Sequence, residues 1–489
     1  MFNTQAQLDA WDNAPNWVRF IAIFVAGALA AMGQAPTDSP GFTLLGLGFG
    51  IWAARLPGGH SQFAYGWMLG LGYFMASLYW IMEPFWVDAA ATGLLAVPAW
   101  VAMSGGLALF WGVAFRMVKG PDGLLLCLSL TAAEFARAYI LTGFPWALIG
   151  YVWVDTAVYQ IASIVGPHGM TLLTVFYAYV VARGKTIYGA LFVILAVVFQ
   201  QLPPIEGPVA ALDAPSVRLI HPNVLQQDKW HPDKREGIYQ QQLALTAAQP
   251  TVDLTIWPET SVYLPMRIAQ SEIAAVSNGG RVLVGGQRRD ENNLFYNSMF
   301  IVGPDGQIEG TYDKSRLVPF GEYIPFGEFL ARFGLRGLSP QSGLFFKSGD
   351  GPTILDIPEV GKVQPLICYE GIFPQDVGRT EPRPDMIVLI SNDAWFGTFN
   401  GPAQHLAQAR ARAIELGIPI VRVANRGVSA VIDAKGGLGT AIGINATGYI
   451  DALVPPPLAP TIYARFRDLP AVFFGLLLAF AVWNRRTKF

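Results

Sequence analysis

Four stretches of the chain, Phe63 to Met82, Gly93 to Phe115, Gly123 to Leu141 and Ile164 to Ala182, are apolar over nearly the length of a bilayer crossing. Hydrocarbon offers no water to bond free backbone groups, so a crossing segment is a helix of about 20 apolar residues or a strand of a closed barrel. Phe20 to Gly33, Gly41 to Ala54 and Ile187 to Phe199 are shorter, and each is a span extended by its flanks or an interfacial piece. Their number and close spacing favour spanning. Leu469 to Trp483 adds a last run, so eight spans are expected, with both termini on one side.

Lys and Arg concentrate in cytoplasmic loops. Here Arg55, then Arg116 and Lys119, then Arg183 and Lys185, then Arg485, Arg486 and Lys488 fall at alternate span ends, and the connections between carry Asp38, Glu83, Asp88 and Asp155. Both termini are therefore expected in the cytoplasm, with Leu202 to Arg467 outside. Asp9 and Asp12 precede the first run in place of a basic segment, which predicts a retained anchor and not a cleaved signal peptide. Glu134 and Arg137 lie three apart on one helix face, as a neutralising structural pair or a functional one. Gly46, Gly48 and Gly50 sit inside an apolar run, where close helix packing is the simpler reading than a nucleotide loop.

Charge is divided unevenly. Charged residues make up 14% of the 489, against about 25% in soluble proteins. Residues 1 to 201 hold 15 of the 68 charges, so the deficit belongs to the membrane part. The net charge of −2 leaves no basic footprint for nucleic acid, and two cysteines make neither a disulfide framework nor a four-thiolate metal site. The expected division is a seven-span bundle over 1–201, a water-exposed domain over 202–467, and an eighth helix with a cytoplasmic tail over 468–489.

In the exposed domain, Val217 to Ile220, Leu254 to Ile256, Val282 to Val284, Ser298 to Val302, Val363 to Cys368, Met386 to Ile390, Ile420 to Val423 and Ser429 to Asp433 read as strands. Glu236 to Ala248 and His405 to Leu416 read as helices, which predicts sheets covered by helices. Pro455, Pro456 and Pro457 form a stiff exit toward the last span.

The sequence has no HExxH zinc motif, no Walker loop and no Gly-x-Ser-x-Gly elbow, and His60, His168, His221, His231 and His405 are scattered, which supports packing roles more than a His-based triad. Cys127 lies in a leucine-rich run and reads as a small apolar residue. Cys368 ends an apolar strand and precedes Tyr369 and Glu370; it reads as a nucleophile at a strand end or as a buried structural thiol. Trp257-Pro258-Glu259-Thr260 puts a carboxylate at another strand end. Tyr312-Asp313-Lys314 puts an amine ahead of Leu317-Val318-Pro319-Phe320-Gly321-Glu322.

Glu259, Lys314 and Cys368, in these contexts, resemble the Glu-Lys-Cys signature of the nitrilase superfamily. Eight spans with such a domain before the last, together with Gly143-Phe144-Pro145-Trp146 and Ser391-Asn392-Asp393-Ala394-Trp395-Phe396-Gly397, resemble its membrane-bound apolipoprotein N-acyltransferase family. Arg426, in Asn425-Arg426-Gly427, departs from that family's pattern, where a small hydroxyl residue is expected. The resemblance implies an α-β-β-α sandwich outside the membrane and a multi-pass protein of the bacterial inner membrane. It also implies transfer of the sn-1 acyl chain of a phospholipid, through a Cys368 thioester, to the amine of a diacylglyceryl-cysteine on an apolipoprotein. No cofactor or metal is implied, and a monomer is expected.

The resemblance further implies that Glu322 is a second essential carboxylate that fixes Lys314 or assists proton transfer, that Tyr369 and Glu370 brace the cysteine turn, and that Trp230 lines the substrate path. Chemically, burial should raise the Glu259 pKa while Lys314 favours the Cys368 thiolate. Phe326 to Phe333, Leu344 to Phe346 and Trp395 to Phe399 are candidates for lipid-facing arms or for ordinary core. Two other readings use the same sequence: a membrane-tethered amidase that passes the acyl group to water, and a non-enzymatic scaffold in which the three residues do not meet.

Overall fold

The computed structural model describes residues 5–54, 62–118, 123–183, 205–325 and 346–486, with Ile194 and Val198. Most of the 187–199 run, the 326–333 arm, Leu344, Phe345 and His60 lie outside them. Every apolar run is helical over most of its described length: Asn16–Ala31, Pro40–Ala54, Gln62–Ser77, Ala96–Met117, Gly123–Tyr139, Ala162–Arg183 and Leu469–Arg486. Two helical segments, Ala89–Met117 and Ala157–Arg183, are each long and apolar enough to cross a bilayer. The run expected to continue to Met82 instead breaks after Ser77 into a 3-10 turn, Tyr79–Met82. Small residues let these helices touch: a Cβ on Gly46 would collide with the Ala26 carbonyl oxygen, as the helix-packing reading of that glycine requires.

The second part is a sandwich of two six-stranded sheets. Its strands are β1 (Ser216–His221), β2 (Leu254–Ile256), β3 (Arg281–Arg289), β4 (Phe295–Val302), β5 (Ile308–Asp313), β6 (Leu355–Ile357), β7 (Gly361–Ile367), β8 (Met386–Asn392), β9 (Ile420–Asn425), β10 (Ser429–Ile432), β11 (Leu438–Ile442) and β12 (Gly448–Leu453). One sheet has the order β12-β1-β2-β3-β4-β5 and the other β11-β10-β9-β8-β7-β6. Strands β1, β2 and β3 are parallel, as are β7, β8 and β9, and the outer pairings are antiparallel.

Parallel strands covered on both faces are written in nearly continuous apolar residues; all of β8 and β9 is buried, and their polar residues, Arg422 apart, stand at the strand ends. Val217, Ile256, Leu283, Val363, Val388 and Val423 meet between the sheets. Helices Arg235–Thr246 and Met266–Val276 cover the first sheet through Tyr239, Leu243, Ala269 and Ile273. Helix Gly401–Leu416 covers the second through Ala409, Ala413 and Leu416. The layers are therefore α-β-β-α. The same helix turns Ala411 and Ile414 to the helical part, where Tyr369, Ile372 and Phe373 join the packing. The cysteine turn thus lies at the junction of the two parts.

Candidate active site

Glu259, Lys314 and Cys368 stand just beyond the ends of β2, β5 and β7, and all three are buried. Cys368 has φ +51°, a left-handed backbone that side chains rarely adopt, at the first position of a 3-10 turn. Glu370 holds that turn. One oxygen accepts from the Ile367 N–H at 2.8 Å. The other accepts from the Tyr312 hydroxyl at 2.6 Å and the Ser315 N–H and hydroxyl, each at 2.7 Å. One carboxylate therefore ties the cysteine turn to the loop that carries Lys314.

Lys314 donates to Glu259 Oε1 at 3.3 Å and to Glu322 Oε1 at 2.9 Å. Asn297 on β4 bridges the same two oxygens, at 2.7 and 2.9 Å. Glu322 Oε2 accepts the Val318 N–H at 2.8 Å, which closes its own loop.

The electrostatics correct one expectation. Burial alone would raise the Glu259 pKa, but Lys314, Lys229 and the Asn297 amide outweigh it and hold the carboxyl below its usual value. Burial pushes the Cys368 thiol up, and Glu259 adds to this more than Lys314 opposes it. Burial works against the Lys314 charge, yet Glu322 and Glu259 raise its pKa overall. At rest the pair is a carboxylate and a neutral thiol, because two ammonium groups face Glu259 and the thiol lies among carboxylates.

Sequence reasoning passed over Lys229 and underrated His405. His405 is buried, with Nε2 3.3 Å from the Cys368 carbonyl oxygen and Nδ1 3.0 Å from Asp393 Oδ1. Arg422 donates to Asp393 Oδ2 at 2.5 Å, and Trp146 stacks on the imidazole at 5.6 Å. Lys229 was hidden by standing in a charged, turn-like stretch, where lysines are usually solvated.

The remaining expected residues divide. Tyr369 donates to the Gly143 carbonyl at 3.4 Å, so its hydroxyl reaches the helical part and does not brace the turn directly. Trp230 lines a narrow open cleft with Lys229, Glu259, Thr260 and Asn425; Cys368 and Lys314 are not among its walls. Arg426 has φ +54° beside Asn425. Phe396 packs on Trp80 and Trp146, whereas Phe399 is exposed, so the Trp395 to Phe399 segment is core at one end and surface at the other. Cys127 is buried with Sγ 3.6 Å from the Val175 carbonyl oxygen, as an apolar filler would be. Among the described residues no cluster of His, Cys, Asp and Glu is disposed to hold a metal ion.

Comparison with known proteins matches both parts. Residues 26–180 match the family described as apolipoprotein N-acyltransferase N-terminal domain, and residues 223–459 match carbon-nitrogen hydrolase. The apolipoprotein N-acyltransferase of Rhodopseudomonas palustris is 35% identical, over 96% of each chain. That of Bradyrhizobium diazoefficiens is 34% identical, also over 96% of each. That of Caulobacter vibrioides is 34% identical over 88% of this chain and 86% of its own.

Proposed function

The chain belongs to the apolipoprotein N-acyltransferase family, and from that premise we propose that it moves the sn-1 acyl chain of a phospholipid to the N-terminal amine of a diacylglyceryl apolipoprotein in two covalent steps. The observation that carries the proposal is the convergence of Glu259 and Lys314, 3.3 Å apart, with the strained, buried Cys368 at the junction with an apolar helical part.

In the first step the Cys368 sulfur attacks the ester carbonyl while its proton passes to Glu259. Two of the three Lys314 N–H groups are held by carboxylates, and the third would meet the oxyanion; a preorganised donor of this kind contributes about 3 kcal/mol. The carbon–oxygen bond then breaks, Glu259 returns the proton to the departing lysophospholipid oxygen, and a thioester remains. In the second step the lipoprotein amine attacks that thioester and loses a proton to Glu259. The carbon–sulfur bond breaks and the proton returns to the thiol. The resting ionisation suits this sequence, since the base is already deprotonated and the thiol ionises only as it attacks.

The same reading assigns eight spans, both termini in the cytoplasm, and the 202–467 domain outside, in a monomer of the inner membrane. Large apolar side chains on the last helix support it: Phe473 is 57% exposed, Phe480 63% and Trp483 67%, a costly surface in water and an ordinary one in lipid.

Intact-protein mass spectrometry after incubation with one defined phospholipid tests the chemistry. An acyl mass on Cys368 should appear, and should leave when a diacylglyceryl lipopeptide is added. Discharge of the acyl group as free fatty acid with no acylated peptide would make the protein a hydrolase. An acyl mass retained by Cys368→Ala would remove the nucleophile assignment.

A further inference from the structure

Glu259 is faced by a second buried cation. Lys229, only 7% exposed, donates to the Glu259 carbonyl oxygen and to Thr260 Oγ1, each at 2.8 Å. The turn it grips is strained, with Thr260 at φ +45°. On the opposite side the turn rests on β3: the Ser261 N–H donates to the Gly285 carbonyl at 2.8 Å, and a Cβ on Gly285 would come within 2.8 Å of Glu259 Cα.

The Lys229 segment is itself anchored to the other sheet. Asn425, at the end of β9, accepts from the Val224 N–H at 2.8 Å and donates to its carbonyl at 3.0 Å. Asn392, at the end of β8, donates to Gln226 at 2.7 Å. The base loop is thus clamped between β3 and a lysine whose segment, after β1, is pinned to strand ends across the sandwich.

We infer that Lys229 is a positioning residue for the base: it fixes the Glu259 turn and, with Lys314, balances the two carboxylates Glu259 and Glu322 so that Glu259 stays ionised beside a neutral thiol. The charged and titratable groups disposed around Glu259 are Lys229 after β1, Lys314 after β5, Glu322 in the next loop, and Cys368 after β7 with Asp393 beyond it. With Asp393 neutralised by its own partner Arg422, the set without Lys229 has one excess negative charge, and a carboxyl in such a site takes up its proton at higher pH. Burial lowers the Lys229 pKa to about 8, so the residue carries its charge at neutral pH.

The inference rests on Glu259 serving as the base proposed above, and its test is independent of acyl transfer. The rate at which iodoacetamide alkylates Cys368 in the full-length enzyme in detergent, followed by mass spectrometry against pH, should fall on the acid side as Glu259 protonates. In Lys229→Met and Lys229→Gln that acid limb should move up by about one pH unit, and Lys229→Arg should keep it in place. A limb that does not move while the rate drops uniformly would reduce Lys229 to a structural prop. An acid limb in the unmodified enzyme at or above the value of a free glutamate would overturn the inference without any variant. Failure of Cys368 to take an acyl group from phospholipid would remove the transferase reading and leave the alkylation profile to judge Lys229.

Discussion

With Lys314, Lys229 and the Asn297 amide around it, Glu259 is ionised at neutral pH while Cys368 keeps its proton, so the proposed attack depends on a pair that exchanges one proton. The rate of Cys368 acylation should therefore be flat through the neutral range. It should decline on the acid side only below the ordinary glutamate value of about 4.3, because the folded-state pKa of Glu259 is depressed. The sign for stability agrees: what the ionised carboxylate contributes is present above that ordinary value and is lost as pH falls through the depressed one. A single-turnover pH profile with its acid limb near pH 6 would contradict this. Asn297 adds a second test. Its amide donates to both Glu259 and Glu322, and hydrogen bonds to charged groups are worth about 1.5–3 kcal/mol. Asn297→Ala should lower kcat/KM by about 10- to 100-fold and make Glu259 less acidic, and steady-state assays across pH would read both effects.

At the scale of elements, the central parallel strands were legible because they are buried on both faces. Met386 to Ile390 is an apolar run with no alternation, Ile420 to Val423 is apolar but for Arg422, and β8 and β9 lie there. The strands not foreseen are largely at the edges. β11 is exposed along nearly its whole length and β12 is half-buried, so neither had to be written in apolar residues. Helix Met266–Val276 was also missed, since Arg267, Gln270 and Glu272 interrupt its buried stripe of Met266, Ala269 and Ile273. The residues of the proposed triad could be picked out from local context, but their geometry could not. The register that sets Gly285 under the Glu259 turn is a contact between distant segments, with no local signal. Gly285→Ala tests that contact. Its methyl group would press on the Pro258 carbonyl and the Glu259 backbone, and overpacking costs about 1–3 kcal/mol. A shift of the base by a fraction of an ångström is more damaging to rate than to folding. kcat should fall on the order of 100-fold while the thermal midpoint drops by only a few degrees; an equal loss of both would mean that the sheet, and not the base, had been disturbed.

Across the whole molecule, a buried polar chain links the helical part to the Cys368 turn. Arg137 donates to Glu134 at 2.9 and 2.7 Å and, through Nη1, to the carbonyls of Phe144 at 2.5 Å and Trp146 at 2.9 Å. Trp111 completes Glu134 at 2.9 Å. The ion pair is therefore a bracket for the Gly143 to Trp146 loop as well as a neutralised pair of charges. From that loop Trp146 stacks on His405, which faces the Cys368 carbonyl, and donates to Gln404 at 2.7 Å; Gly143 accepts from Tyr369. Removing one member of such a pair leaves a buried charge unpaired and costs about 3–5 kcal/mol, so Arg137→Met alone should destabilise strongly. The double variant decides between the two roles. If the pair only neutralises itself, Glu134→Leu with Arg137→Met should recover stability, as replacement of buried ion pairs by apolar residues often does. If it is the bracket, the double variant still leaves two loop carbonyls without their donor. Its apparent Tm in detergent should then stay several degrees below that of the unmodified protein, and Cys368 acylation should be slow even where the protein is folded. Full recovery of both would separate the Gly143 to Trp146 loop from Cys368.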